Sequence, residues 1–140
     1  MALSRHGRLV MRTFARPEIR ETPERVLHDL RQNRIGSMHV AKWRLAMSLH
    51  GALSSGIQLN SVWRVFRDAE PDSQSLSLRT GWPIAEIDTI EAYRGVSTRY
   101  LFPTLAELRE LMSEDFAEES CHFPTYELGH CCPTLVFEPK

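Results

Sequence analysis

Segments typical of β-strands lie near both ends of this chain, with a long helical block between them. Residues 6–16 contain a short apolar run bounded by glycine and proline, which predicts a buried first strand. Residues 116–123 and 134–138 predict two more strands, and the second is almost continuously apolar, which favours the interior of a sheet. The order strand, helical block, helix, strand, strand predicts a single α/β domain over residues 1–140 that ends in an antiparallel hairpin.

The helical block, residues 22–95, carries signals for the start of several helices. Thr22 is a natural N-cap with Pro23 at the first helical position, and Ser37 can cap the next helix. Apolar residues then recur at spacings of three and four, as on one face of a helix. The polar residues 72–77 interrupt this pattern and predict a loop.

The last third of the chain, residues 99–140, predicts a helix followed by the hairpin. Thr104 and Glu107 have the S/T-x-x-E spacing of a capping box, which places the start of this helix. Its predicted apolar stripe comprises Leu105, Leu108, Leu111 and Met112.

Composition and charge exclude several classes of protein. The chain has 140 residues with 17 basic and 18 acidic side chains, so no basic excess is available to hold the whole chain on nucleic acid. No apolar run approaches the roughly 20 residues of a membrane-spanning helix, and residues 1–14 lack the apolar core of a secretory signal. We therefore expect a cytoplasmic protein. The preference for arginine, with lysine only at Lys42 and Lys140, favours a bacterial origin.

The cysteines and the nearby histidines are potential metal ligands. Three cysteines, two of them adjacent, make a poor disulfide framework. The possible ligands are Cys121, His122, His130, Cys131 and Cys132. Adjacent residues of a strand point to opposite faces, and no C-x-x-C spacing is present, so we expect buried thiols and no metal site.

Several stretches resemble one enzyme family. Residues 6–12, HGRLVMR, are similar to the fifth strand of class I S-adenosylmethionine-dependent methyltransferases. Residues 101–108, LFPTLAEL, resemble the start of that family's last helix. Residues 116–119 and 132–137 resemble its final antiparallel hairpin.

The resemblance implies a partial Rossmann-like sheet of three strands, with the last strand between the other two. Residues 22–95 would then be an inserted helical lid over the substrate. The family binds S-adenosyl-L-methionine through a Gly-rich loop, but no G-x-G pair occurs in this chain. The chain therefore resembles the C-terminal, substrate-lid half of such a methyltransferase without its cofactor half, and we expect it to be inactive alone. No catalytic residue and no methyl acceptor are indicated.

One segment of the block is a candidate substrate contact. Tyr93, Arg94, Arg99 and Tyr100 surround a glycine and could bind an anionic or aromatic substrate, because arginine pairs with carboxylates and stacks on rings. The alternative is a helix end at which Arg94 satisfies carbonyl groups and Tyr100 enters a strand.

The resemblance also implies a partner. Without the family's parallel neighbour, the first strand would expose one edge, which predicts self-association or pairing with a partner chain. The alternative functions are a non-enzymatic interaction or dimerisation module and a small regulatory domain that senses an anionic metabolite.

Overall fold

A computed structural model describes residues 7–140, so His6 and the predicted start of the first strand lie outside the described residues. The chain divides into two compact units. Of the described residues, 7–20 and 102–140 form the first, which we call the sheet unit, and 21–101 form the second, the helical unit. No helix in the described part of the chain is long and apolar enough to span a membrane.

The sheet unit contains β1 and all elements after residue 102, and the helical unit contains the rest. In chain order the elements are β1 (Leu9–Arg12), α1 (Pro23–Arg31), α2 (Met38–Leu49), β2 (Ile57–Gln58), α3 (Leu59–Ala69), α4 (Ser73–Thr80), α5 (Ile84–Ile87), a 3₁₀-helix (Asp88–Tyr93), β3 (Arg99–Tyr100), α6 (Leu105–Met112), β4 (Phe116–His122), a 3₁₀-helix (Gly129–Cys131) and β5 (Thr134–Pro139).

In the sheet unit, the last strand of the chain lies between the other two. The order is β1-β5-β4, and β5 is antiparallel to both of its neighbours. The predictions of a mixed α/β chain, of a final antiparallel hairpin and of an interior last strand are therefore confirmed. Leu135 and Phe137 of β5 are fully buried, at 0% and 2% exposure.

One face of this sheet forms the core of the unit. Leu135 and Phe137 pack there with Leu108 of α6, and Leu9 and Met11 of β1 lie against the same cluster. Val10, on the other face, is 63% exposed. The prediction of a buried first strand was wrong in this respect, because β1 alternates between a packed and an exposed face.

Strand β1 is shorter than the predicted 6–16, but its pairing continues past its end. The amide of Thr13 donates to the carbonyl of Pro133 at 3.4 Å, and that of Ala15 to Cys131 at 2.8 Å. Because successive amides alternate in direction, those of Leu9 and Met11 also face β5. The backbone groups of Val10 and Arg12 therefore point to the opposite edge, along which the described residues place no strand.

The predicted capping box starts α6. Thr104 Oγ1 accepts a hydrogen bond from the Glu107 amide at 3.1 Å, and Glu107 Oε1 accepts one from the Thr104 amide at 3.0 Å. Leu111 departs from the predicted stripe and is 67% exposed. At about 100° per residue it lies about 60° beyond Leu108, outside the arc that faces the sheet.

Side-chain caps also start two helices of the helical unit where the sequence predicted them. Thr22 accepts a hydrogen bond from the Arg25 amide at 3.2 Å, and Ser37 accepts one from the Val40 amide at 3.2 Å. The prediction of a loop over residues 72–77 was wrong, because α4 lies there. Asp72 caps it, and the fully buried Leu76 anchors it.

A two-residue ladder that the sequence did not predict joins β2 to β3. Gly56 precedes it with φ of +61°, and a Cβ at this position would lie 2.5 Å from the Tyr100 carbonyl oxygen. Only glycine avoids this clash, so the close approach of Tyr100 to the chain depends on residue 56.

We predict that Gly56→Ala destabilises the chain more than Gly81→Ala. Both positions have positive φ, which costs a non-glycine residue about 1–2 kcal/mol, but an added Cβ at Gly81 meets nothing within 4 Å. Urea unfolding should therefore show an additional loss of about 1 kcal/mol or more for Gly56→Ala. Equal losses for the two variants would contradict the close packing against Tyr100.

A buried ion cluster links α1 to α2. The guanidinium of Arg44 donates to Asp29 Oδ2 at 2.8 Å and also to the carboxylate of Glu21. Asp29 is only 8% exposed. Its hydrogen bond with Arg44 lowers the pKa of Asp29 below 3.8, against the opposing effect of burial.

This cluster predicts a pH-dependent contribution to stability. Because the folded pKa of Asp29 is depressed, its contribution is full above the ordinary value of 3.8 and is lost as pH falls through the folded pKa. We expect Asp29→Asn to lower the free energy of unfolding by about 1–3 kcal/mol at pH 7, and by less as pH falls towards 3. Asp68→Asn, at an exposed position, is the matched control. A difference from the parent chain that stays constant with pH would refute this role.

Candidate functional site

The candidate segment leaves the 3₁₀-helix Asp88–Tyr93 and enters β3 through a turn fastened to α3. Gly95 forms the turn with φ of +72°. Its amide donates to Asn60 Oδ1 at 2.7 Å, and the Asn60 amide donates to the Val96 carbonyl at 3.0 Å. These reciprocal bonds fix Arg94 and Arg99 on either side of the turn.

Arg94 stacks on an aromatic side chain of α3. Its guanidinium carbon lies 5.3 Å from the centroid of the Trp63 ring, within the range of a cation–π interaction. The indole N–H of Trp63 donates to the carboxylate of Glu91, which holds the ring in place. Arg94 as a whole residue is exposed. The structure thus places Arg94 on a ring rather than on the carbonyl groups of a helix end.

Arg99 and Tyr100 occupy β3, as the alternative interpretation anticipated for Tyr100. Tyr100 pairs with Ile57, and Arg99 pairs with Gln58. The Arg99 guanidinium donates to the Ser55 carbonyl oxygen at 2.7 Å. Both side chains remain exposed, so a strand position and a role in binding are compatible.

Lys42 of α2 joins this segment, although the sequence analysis did not select it. Its ammonium lies 5.5 Å from the centroid of the Tyr93 ring and donates to Thr89 Oγ1 at 2.9 Å. Burial lowers the pKa of Lys42 below its ordinary value of 10.5. Burial also raises the pKa of Tyr93 above 10.0, and the nearby Tyr100 adds to this effect.

The remaining cations of the helical unit include several that are neutralised by carboxylates. Arg44 contacts Glu21 and Asp29, Arg67 contacts Asp88 at 3.2 Å and Glu91 at 3.8 Å, and Arg79 contacts Glu70. Within residues 7–140, no ion pair within 4.0 Å includes Lys42, Arg94 or Arg99. None of these three cations therefore has a salt-bridge partner among the described residues.

Two cation–aromatic pairs, Lys42 with Tyr93 and Arg94 with Trp63, therefore lie along this segment. Arg99 and Tyr100 follow in β3, where adjacent side chains point to opposite faces of the strand. We call this set the basic–aromatic cluster: Lys42, Trp63, Tyr93, Arg94, Arg99 and Tyr100. Ammonium and guanidinium groups attract anions, and indole and phenol rings stack on planar apolar groups. The chemistry of the cluster fits an anion that carries a flat apolar body.

The cysteine-rich segment of the sheet unit has a different character. Cys131 and Cys132 are buried, Cys121 is half-buried, and none of these three described cysteines forms a disulfide. Burial raises the pKa of Cys121 above 9.0. In the part of the chain that the structure describes, no group of three or more His, Cys, Asp or Glu side chains is placed to hold a metal ion.

Comparison of the chain with family models, with curated proteins and with solved structures found no match. The geometry of the described residues is therefore the basis for a proposal about function. Two features carry it: the strand order of the sheet unit and the basic–aromatic cluster of the helical unit.

Proposed function

We propose that this chain is the C-terminal, acceptor-binding portion of an S-adenosylmethionine-dependent methyltransferase. The strand order β1-β5-β4 carries the proposal, since the last strand lies between the other two and is antiparallel to both. Helix α6 lies between β1 and β4 in sequence and packs its Leu108 against β5. This is the order that the family resemblance implies for the end of the sheet.

The outward edge of β1 supports the same proposal. The backbone groups of Val10 and Arg12 point away from β5, and an unpaired strand edge is a template for another strand. In the proposed enzyme, a parallel strand of the cofactor-binding half pairs at this edge. Strand β1 would then be interior to a larger sheet.

The described residues do not fit S-adenosylmethionine itself. A cofactor of this kind needs glycine-rich backbone at the start of a helix, where free amides meet the ligand. Here a first-turn amide of α1, α2, α4 and α6 is engaged by Thr22, Ser37, Asp72 and Thr104 respectively. At α3, the amides of Leu59 and Asn60 donate to the carbonyls of Thr98 and Val96. The proposal therefore assigns cofactor binding to a separate half.

The contribution of this chain is to bind and orient the methyl acceptor. The helical unit supplies the basic–aromatic cluster for that purpose, with Arg94 held over Trp63 and Lys42 held over Tyr93. Holding an acceptor in one orientation is a large part of catalysis when the cofactor supplies the reactive group.

A chimeric enzyme tests the proposal. The cofactor-binding half of a class I methyltransferase of known structure, ending after its fourth strand, is joined ahead of Gly7. We expect the chimera to bind S-adenosylhomocysteine in calorimetry, whereas the isolated chain does not. We also expect the amides of Val10 and Arg12 to become protected from hydrogen exchange, while those of Leu9 and Met11 are protected in both proteins.

Val10→Pro is the informative variant, because it removes an amide that points to the open edge and none that faces β5. It should abolish binding of S-adenosylhomocysteine in the chimera while the isolated variant still folds by circular dichroism. A folded chimera in which Val10 and Arg12 exchange as fast as in the isolated chain would overturn the proposal.

The same edge also favours the second candidate function, a non-enzymatic dimerisation module. An antiparallel pair of β1 strands centred on Val10 would place Arg8 opposite Arg12 of the second copy. Arg8 forms ion pairs with Glu119 and Glu138 of its own chain, so its charge is compensated within each copy. A concentration-dependent dimer with protected Val10 and Arg12 amides would place this second function first.

A further inference from the structure

Lys42 is a partly buried cation whose neighbours do not neutralise it. Its ammonium has a neutral hydroxyl, Thr89 Oγ1, at 2.9 Å and the face of the Tyr93 ring at 5.5 Å. No carboxylate of the described residues lies within 4.0 Å of it. An anion beside the ammonium would supply the counter-ion that these neighbours lack.

The presence of lysine rather than arginine at position 42 is informative. In the helical unit, every ion pair within 4.0 Å among the described residues uses arginine as the cation, as in Arg44, Arg67 and Arg79. Lys42 is the single lysine of this unit and forms none. A lysine ammonium is a compact point charge with rotatable donors, which suits a ligand that enters and leaves. The lowered pKa of Lys42 is consistent with a missing counter-ion.

The rings of the cluster limit the shape of the anion. The face of the Tyr93 ring lies below the Lys42 ammonium, with 5.5 Å between the ammonium and the ring centroid. Tyr93 is half-buried, so part of its ring is open to a ligand. Aromatic pairs gain energy beyond the area that they bury. A planar ring attached to the anionic group would therefore stack here.

We propose that Lys42 and Tyr93 form a binding site for a small aromatic carboxylate. The carboxylate accepts a charge-assisted hydrogen bond from the Lys42 ammonium, and the ring of the ligand packs on Tyr93. As an assignment of the methyl acceptor, this inference rests on the proposed function. As a binding site, it stands on the geometry of the helical unit alone.

The chain offers a selective probe of this site, because Lys42 and Lys140 are its only lysines. Labelling lysine with ¹³C at Cε gives two signals, one from the site and one from Lys140, which contacts the Ser113 carbonyl in the sheet unit. Benzoate is titrated into the intact chain, with benzamide as the uncharged analogue and acetate as the anion without a ring.

We expect benzoate to shift the Lys42 signal saturably and to leave the Lys140 signal in place. Benzamide and acetate should each shift the Lys42 signal less at equal concentration, because benzamide lacks the negative charge and acetate lacks the aromatic ring. The inference is overturned if either compound matches benzoate, or if both lysine signals move together without saturation.

The variant Lys42→Met tests the role of the charge while keeping most of the apolar stem. Binding is then followed through ring signals of labelled tyrosine, with Tyr126 of the sheet unit as the internal reference. We expect benzoate affinity to fall about tenfold or more, the loss of one charge-assisted hydrogen bond. Arg64→Met, at an exposed position of α3, should bind like the parent chain. Unchanged affinity in Lys42→Met would overturn the inference.

These measurements do not involve methyl transfer, so their outcome is separable from that of the proposed function. Benzoate binding to Lys42 together with a folded chimera that fails to bind S-adenosylhomocysteine would retain the anion site and reject the methyltransferase. Binding of S-adenosylhomocysteine by the chimera without benzoate binding would retain the enzyme and reject this acceptor class.

Discussion

The pairing of β5 with two strands from distant parts of the sequence is the interaction on which the sheet unit depends. Leu135 and Phe137 lie opposite Met11 and Leu9, and they complete a core with Leu108. Residues near both ends of the chain must therefore meet before this core exists. The loop-closure cost of such a contact grows only slowly with the length of the intervening chain, so a large insertion between β1 and α6 is tolerated.

Local chemistry made several parts of the fold predictable. Caps at Thr22, Ser37 and Thr104 act within one turn of helix, so residue type and spacing identify them. Other parts depend on tertiary contacts. The serine-rich start of α4 is typical of a loop, and only the tertiary structure shows that Leu76 is buried there. Val10 lies in an apolar run that predicts burial, but it is exposed on the face of the sheet opposite the core.

The candidate site likewise combines residues that the sequence indicates with a residue that only the tertiary structure brings to them. Residues 93–100 could be selected from sequence because two tyrosines and two arginines surround a glycine within a short segment. Lys42 is far from them in sequence and joins the site only because its side chain reaches Thr89 and Tyr93 of the 3₁₀-helix Asp88–Tyr93. Whether a cation has a carboxylate partner depends on the positions of all the acidic side chains in the folded chain. No local sequence pattern specifies those positions. A lone lysine among arginines was the one available signal.

The proposed methyltransferase function depends on the strand order of the sheet unit, and proton NMR tests that order most directly. Val10 and Val136 form a pair whose backbone amides point away from each other, so their α-protons face each other across β1 and β5. We predict a strong nuclear Overhauser effect between these α-protons, together with β4–β5 contacts at Cys121 and Leu135. Contacts of β1 with β4 in place of β5 would contradict the strand order, and with it the proposed relationship to methyltransferases.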